Sequence, residues 1–139
     1  MRRHVIPDVV QGQELVTMPR TATVAEAARR MNERGVSSVL VVEQGRLLGI
    51  FTVRDVARRV VGQDRGIDTP LGDVMTVDPE TVDAFEIPLR ALRTMHDGGY
   101  RHLPVTENDT LVGIVSRRDF FQEDERMLED ETALWEHLR

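Results

Sequence analysis

Cysteine is absent from the 139 residues. That removes disulfides, thiolate zinc sites and cysteine nucleophiles together, and it fits a reducing cytoplasm. Aromatic residues make up only 4 %, so a core has to be assembled from Val, Leu, Ile, Ala and Met. At 40 % hydrophobic there is enough such material for one compact domain or two small units sharing a core. No apolar run approaches the roughly 18–20 residues that span a bilayer, and none of roughly 7–15 follows Arg2-Arg3 as a signal peptide would require. Positive charge is in deficit as well. The net charge of −6 disfavours a long nucleic-acid footprint, which calls for a basic surface. Neither G-x-G-x-x-G nor the lysine-bearing P-loop pattern occurs, and no nucleophile–base constellation stands out. These absences together predict a soluble cytoplasmic protein that is not an enzyme.

What the chain does have is a repeat. Aligning Asp55 with Asp119 at an ungapped offset of 64 residues pairs Thr17 with Thr81, Ala27 with Ala91, Met31 with Met95 and Gly35 with Gly99. The match continues through Val41/Val105, Gly49/Gly113, Ile50/Ile114 and Arg54/Arg118. Each copy has the same grammar. In the first, Val24, Ala27, Ala28 and Met31 give an amphipathic helical stripe, with Thr23 as its N-cap and Gly35 at its end. A buried strand over 36–43, a Gln44-Gly45 turn and a strand over 46–51 form a hairpin, after which Val53, Val56, Ala57 and Val60 return to helical spacing. The second copy predicts a helix over 89–96, a break at Gly98-Gly99, strands over 100–106 and 110–115, and a helix from Arg117. The units are therefore expected at 6–61 and 77–122. A linker over 62–76 should carry a short helical turn after Pro70, and an acidic amphipathic helix should occupy 123–139.

Both copies place G-x-x-[ST]-x-x-D at the second strand-to-helix joint: Gly49 to Asp55 and Gly113 to Asp119. A helix start presents free N–H groups and the positive end of its dipole, which suits a phosphate. The acid three residues after the hydroxyl can take two neighbouring ribose hydroxyls, and Arg54, Arg117 and Arg118 can neutralise phosphate charge. The same spacing is also a helix-capping box, and a duplication copies a cap as faithfully as a binding site. Spacing alone leaves both readings open.

The order of elements, the doubled motif, the phrase Arg101-His102-Leu103-Pro104-Val105 and the segment Asp73-Val74-Met75-Thr76 together resemble a CBS-domain pair, or Bateman module. The resemblance runs from about Ile6 to Phe121. It implies an α/β (α+β) fold of two βαββα units packed through their sheets with pseudo-two-fold symmetry. It also implies clefts that bind AMP, ADP, ATP, S-adenosylmethionine or NAD as an effector, with no cofactor in the catalytic sense. Carried over by position, Asp55 and Asp119 would hold ribose, while Thr52 and Ser116 would contact phosphate or ribose. Thr17 and Met18, like Thr81 and Val82, would flank the base. Val36 and Ser37, and likewise Tyr100 and Arg101, would line the cleft, with His102 and Pro104 following. Ser37, Ser38 and Leu40 stand where the second copy has Arg101, His102 and Pro104, so two unequal clefts are expected. The family also implies a homodimer signalling to an effector protein, or, alternatively, a ligand-free dimerisation or scaffold module.

Other candidates weigh less. His96 and His102 straddle a glycine break without the i, i+4 spacing of a metal pair, so no metal is expected. Asp97-Gly98-Gly99 reads as a helix C-terminal turn. Glu123, Asp124, Glu125, Glu129, Asp130 and Glu131 read as a solvated helix face. Trp135 reads as a packing anchor within the module or across a dimer.

Overall fold

The computed structural model describes residues 3–120 and 122–138. Phe121, where the resemblance ends, and the side chain of Glu123 in the acidic run lie outside what is described. The chain divides into two units, Glu14–Glu80 and the segment up to Gln13 together with Thr81 onward.

In the first unit, β1 (Thr17–Met18) runs parallel to β2 (Ser38–Glu43), which pairs antiparallel with β3 (Arg46–Thr52), and β4 (Thr76–Val77) closes the sheet. Helix α1 (Val24–Arg34) crosses between β1 and β2. Its start is a capping box: Thr23 Oγ1 accepts from the Glu26 N–H at 3.2 Å, and the Glu26 carboxylate accepts from the Thr23 N–H at 3.4 Å. Its end is Gly35, held at φ +63°, where a side chain would be strained. Three of the four stripe residues are buried: Val24, Ala27 and Met31 pack with Val39, Val41 and Phe51, while Ala28 is exposed. After β3 comes α2 (Val53–Asp55), which widens into a looser turn over Val56–Val60.

The second unit repeats this with β5 (Val82–Asp83), α3 (Pro88–Gly98), β6 (His102–Glu107) and β7 (Thr110–Ser116). The correspondence reaches irregular features. Both hairpins shift register at matching points, Val41/Val42 and Val105/Thr106. Both turn through two residues of positive φ, Gln44-Gly45 and Asn108-Asp109, the geometry that matches strand twist. One expectation fails here. No regular helix starts at Arg117: a single 3-10 turn, Arg117–Asp119, gives way to extended backbone at Phe120, and α4 (Gln122–Leu138) begins afterwards.

Spatial units differ from sequence order. The sequence reading begins the first unit at Ile6, yet the segment before Glu14 packs with the second. Val5 N–H donates to the Glu86 carbonyl and Ile6 N–H to the Ala84 carbonyl, and Val5 and Val10 are buried among Val82, Ala91 and Leu103. The supposed linker behaves reciprocally: Leu71, Val74 and Met75 complete the first core. Each copy is thus finished by the apolar segment that precedes the other copy, because a sheet with a single crossover helix leaves apolar surface uncovered. Among the described residues no helix is long and apolar enough to cross a membrane.

Candidate functional site

In each unit a backbone hydrogen bond ties the loop before the first long strand to the motif after the second. Val53 N–H donates to the Ser37 carbonyl at 3.1 Å, and Arg117 N–H donates to the Arg101 carbonyl at 3.0 Å. Ser37 is thereby set beside Thr52–Asp55, and Arg101 beside Ser116–Asp119. The same bonds take the first N–H of each motif turn, and the second motif has a single turn to supply a dipole. Side chains add positive potential. The chain contains no lysine, so all 18 of its Lys and Arg residues are arginines, the side chain whose planar fork suits phosphate and carboxylate.

Both motifs form capping boxes, but the two carboxylates differ in what remains to them. Asp55 is 7 % exposed. Its Oδ2 accepts from Thr52 N–H at 2.9 Å and Thr52 Oγ1 at 3.2 Å, and its Oδ1 accepts from Thr76 Oγ1 at 3.1 Å and faces Arg59 Nε at 3.4 Å. Arg59 is anchored in turn by donating to the Met75 carbonyl at 2.8 Å. Nothing on Asp55 is left over. Asp119 is half-buried. Its Oδ2 accepts from Ser116 N–H at 2.7 Å and Ser116 Oγ at 3.1 Å, while Oδ1 has no hydrogen-bond partner among the described residues. The residue 64 positions after Arg59 is Glu123, so the sequence supplies no matching guanidinium. The place of Thr76 is filled by Gln13, whose carboxamide bonds both N–H and C=O of Ile114 at 2.9 and 2.8 Å and leaves Asp119 alone.

An open pocket of about 600 Å³ lies in the second unit, and Tyr100, Arg101, Arg117 and Arg118 of the sequence-predicted set meet on its wall. His102 is half-buried nearby. Burial first, then the charges of Arg118 and Arg101, hold its pKa below the ordinary histidine value, against the opposing pull of Asp119. In the first unit the pocket of about 420 Å³ is lined by Arg20, Pro70 and Asp73, away from Thr52 and Asp55. Thr17, Thr81 and Arg54 are exposed, and Val36 is half-buried. Met18 and Val82 are sunk in the two cores, and Pro104 is buried on β6, so packing occupies these three side chains.

Sequence reasoning missed Glu125. It reads as solvated acid, yet it lines the pocket and takes a two-pronged ion pair from Arg117, Nε to Oε1 at 3.0 Å and a terminal nitrogen to Oε2 at 2.9 Å. The pair holds the Glu125 carboxyl below its usual range and raises Arg117. Asp124 pairs with Arg3, and Glu131 with Arg93, so half of the acidic run is engaged. No helical spacing links Arg117 to Glu125, because the extended break at Phe120 separates them. Trp135 is 60 % exposed. No cluster of potential metal ligands occurs among the described residues.

Comparison with known proteins decides the family. The CBS domain family model matches twice, over residues 1–62 and 71–126. The chain belongs to the CBS-domain family. The CBS domain-containing protein YhcV of Bacillus subtilis is 34 % identical over 106 residues, covering 76 % of this chain and 76 % of that protein. The CBS domain-containing protein CBSCBSPB1 of Arabidopsis thaliana is 37 % identical over 102 residues, 72 % of this chain but 19 % of its own length. This chain thus spans about a fifth of the curated relatives it matches first. Among solved structures, the CBS domain protein PAE2072 from Pyrobaculum aerophilum, complexed with AMP, superposes with a TM-score of 0.76 at 26 % identity, covering 86 % of this chain and 95 % of that one. The α/β architecture is that of a CBS pair, a regulatory module.

Proposed function

We propose that this CBS pair is an effector sensor in which the second unit does the recognising. The ligand is an adenosine-containing molecule of the class AMP, ADP, ATP, S-adenosylmethionine or NAD. Asp119 accepts the ribose hydroxyls through its uncommitted oxygen, and Ser116 orients that carboxylate. Tyr100, Arg101, Arg117 and Arg118 receive the remainder of the ligand. The observation that carries this reading is the inequality of the two acids: Asp55 is saturated by Thr52, Thr76 and Arg59, whereas Asp119 Oδ1 has no hydrogen-bond partner among the described residues. The AMP complex of the Pyrobaculum protein supports the ligand class.

Signalling requires the effector to bind two arrangements of the module with different affinity, since equal binding to both transmits nothing. The receiver is an effector protein, reached by a homodimer. Exposed apolar side chains such as Val61, Ile67, Phe85 and Leu134 favour self-association, and they equally support a scaffold that binds no ligand.

A thermal-shift panel separates these readings. At about 100 times its dissociation constant a true effector stabilises the fold by roughly 2.7 kcal/mol. Asp119→Ala should abolish that shift while the protein still melts cooperatively. A panel in which no adenosyl compound moves the melting temperature favours the scaffold.

A further inference from the structure

Helix α4 packs along α3. Leu128 is its one large apolar side chain buried there, whereas Met127, Leu134, Trp135 and Leu138 are more than half exposed. Ion pairs among the described residues add to this packing: Arg117–Glu125, Arg93–Glu131 and Arg3–Asp124. Docking also buries Arg93 Nε, Asp124 Oδ2 and Thr132 Oγ1 without a hydrogen-bond partner among the described residues, and each such atom weakens the attachment. Glu125 meanwhile sits on the wall of an arginine-lined pocket, where Arg101, Arg117 and Arg118 outnumber it. A carboxylate gripped by a guanidinium fork occupies the position that a phosphate oxygen pair would take. A phosphate carries more charge and more acceptor oxygens for the same fork.

The geometry points to α4 as a displaceable acidic strap: a phosphate group entering this pocket takes Arg117 from Glu125, and the helix loosens from its unit, uncovering Leu128. This rests on the sensor reading above and narrows it. The favoured effector carries phosphate, and a cationic sulfonium ligand would leave the strap in place.

Trp135, the only tryptophan, lies on α4 and reports on it directly. Its fluorescence anisotropy is followed at constant ionic strength in the full chain, with tripolyphosphate, ATP and adenosine as separate probes. Tripolyphosphate and ATP should lower the anisotropy toward that of Arg117→Gln, whose helix is already unlatched, and adenosine should not. Glu125→Gln removes the competitor, so tripolyphosphate should bind about two- to fivefold tighter, the range for a solvent-exposed ion pair. Asp130→Asn makes the same charge change elsewhere on the helix and should leave the affinity unchanged. Tripolyphosphate that leaves Trp135 unmoved, or that gains equally from Asp130→Asn, overturns the strap. The two proposals fail separately. ATP and adenosine binding alike with a static Trp135 sinks the strap and spares the sensor. Tripolyphosphate releasing α4 while no adenosyl compound binds anywhere does the reverse.

Discussion

Asp55 and Asp119 close the same motif in two copies of one unit, with the same capping partners but different surroundings. The cap itself is common: hydroxyl and carboxylate bond each other's backbone in both. The difference lies in the second oxygen. In the first copy Thr76 and Arg59 consume it; in the second it has no hydrogen-bond partner among the described residues. A motif shared by duplication therefore specifies a local turn, and its surroundings decide whether the turn is also a site.

The sharpest way to break the comparison is to delete each acid. Asp55→Ala strands the Thr52 N–H and the Thr76 hydroxyl and removes the Arg59 contact, at a cost of about 2–3 kcal/mol. Asp119→Ala removes only an N-terminal cap, at about 1 kcal/mol. Urea denaturation of both variants measures the gap. Equal losses would mean that the surroundings do not matter.

Next in size is the motif glycine. A β-carbon on Gly49 would meet the Thr76 carbonyl oxygen at 2.6 Å and Met75 Sδ at 2.7 Å, because β4 lies against it. On Gly113 the one close approach would be the Gln13 side-chain oxygen, at 2.9 Å, with Ile6 and Val105 at ordinary contact distance. A strand backbone cannot step aside as a glutamine can. Gly49→Ala should cost about 1–3 kcal/mol and Gly113→Ala about 1 kcal/mol or less. Combining Gly113→Ala with Gln13→Ala tests the reason: removing the obstacle should remove the steric part of the cost.

These two contrasts show where the sequence was legible. Helix α1 announced itself through Thr23, the Val24–Ala27–Met31 stripe and Gly35, since capping and periodicity are local rules. The hairpins were equally plain, and the ungapped offset carried the fold from one copy to the other. Local rules did not reach the exchange of Val5–Val10 and Leu71–Met75 between units, which depends on which open core lies nearest in space. Nor did they reach Arg117–Glu125, which needs the chain to abandon its helix at Phe120. At the candidate site, Tyr100, Arg101, Arg117 and Arg118 line one pocket of the second unit, whereas Met18, Val82 and Pro104 are buried. Position in a motif gives no burial.

The smallest effect concerns acid. His102 has Ser38 as its counterpart in the first copy, so only the second unit carries a titrating group at this point. Burial and the neighbouring Arg118 and Arg101 lower its pKa in the folded protein. A base lowered in this way binds its proton more readily when unfolded. Its contribution is therefore complete above the unfolded value of about 6.5 and is lost as the pH falls through that value toward the folded one. Melting temperatures recorded from about pH 7.5 down to 5.5 should drop more steeply for the wild type than for His102→Ser. Tripolyphosphate should flatten the wild-type curve, because an anion beside Arg101 and Arg118 screens the charges that oppose protonation. A His102→Ser curve parallel to the wild type would remove the histidine from the electrostatics of this pocket and leave the contrast between the copies to Asp119 and Arg117.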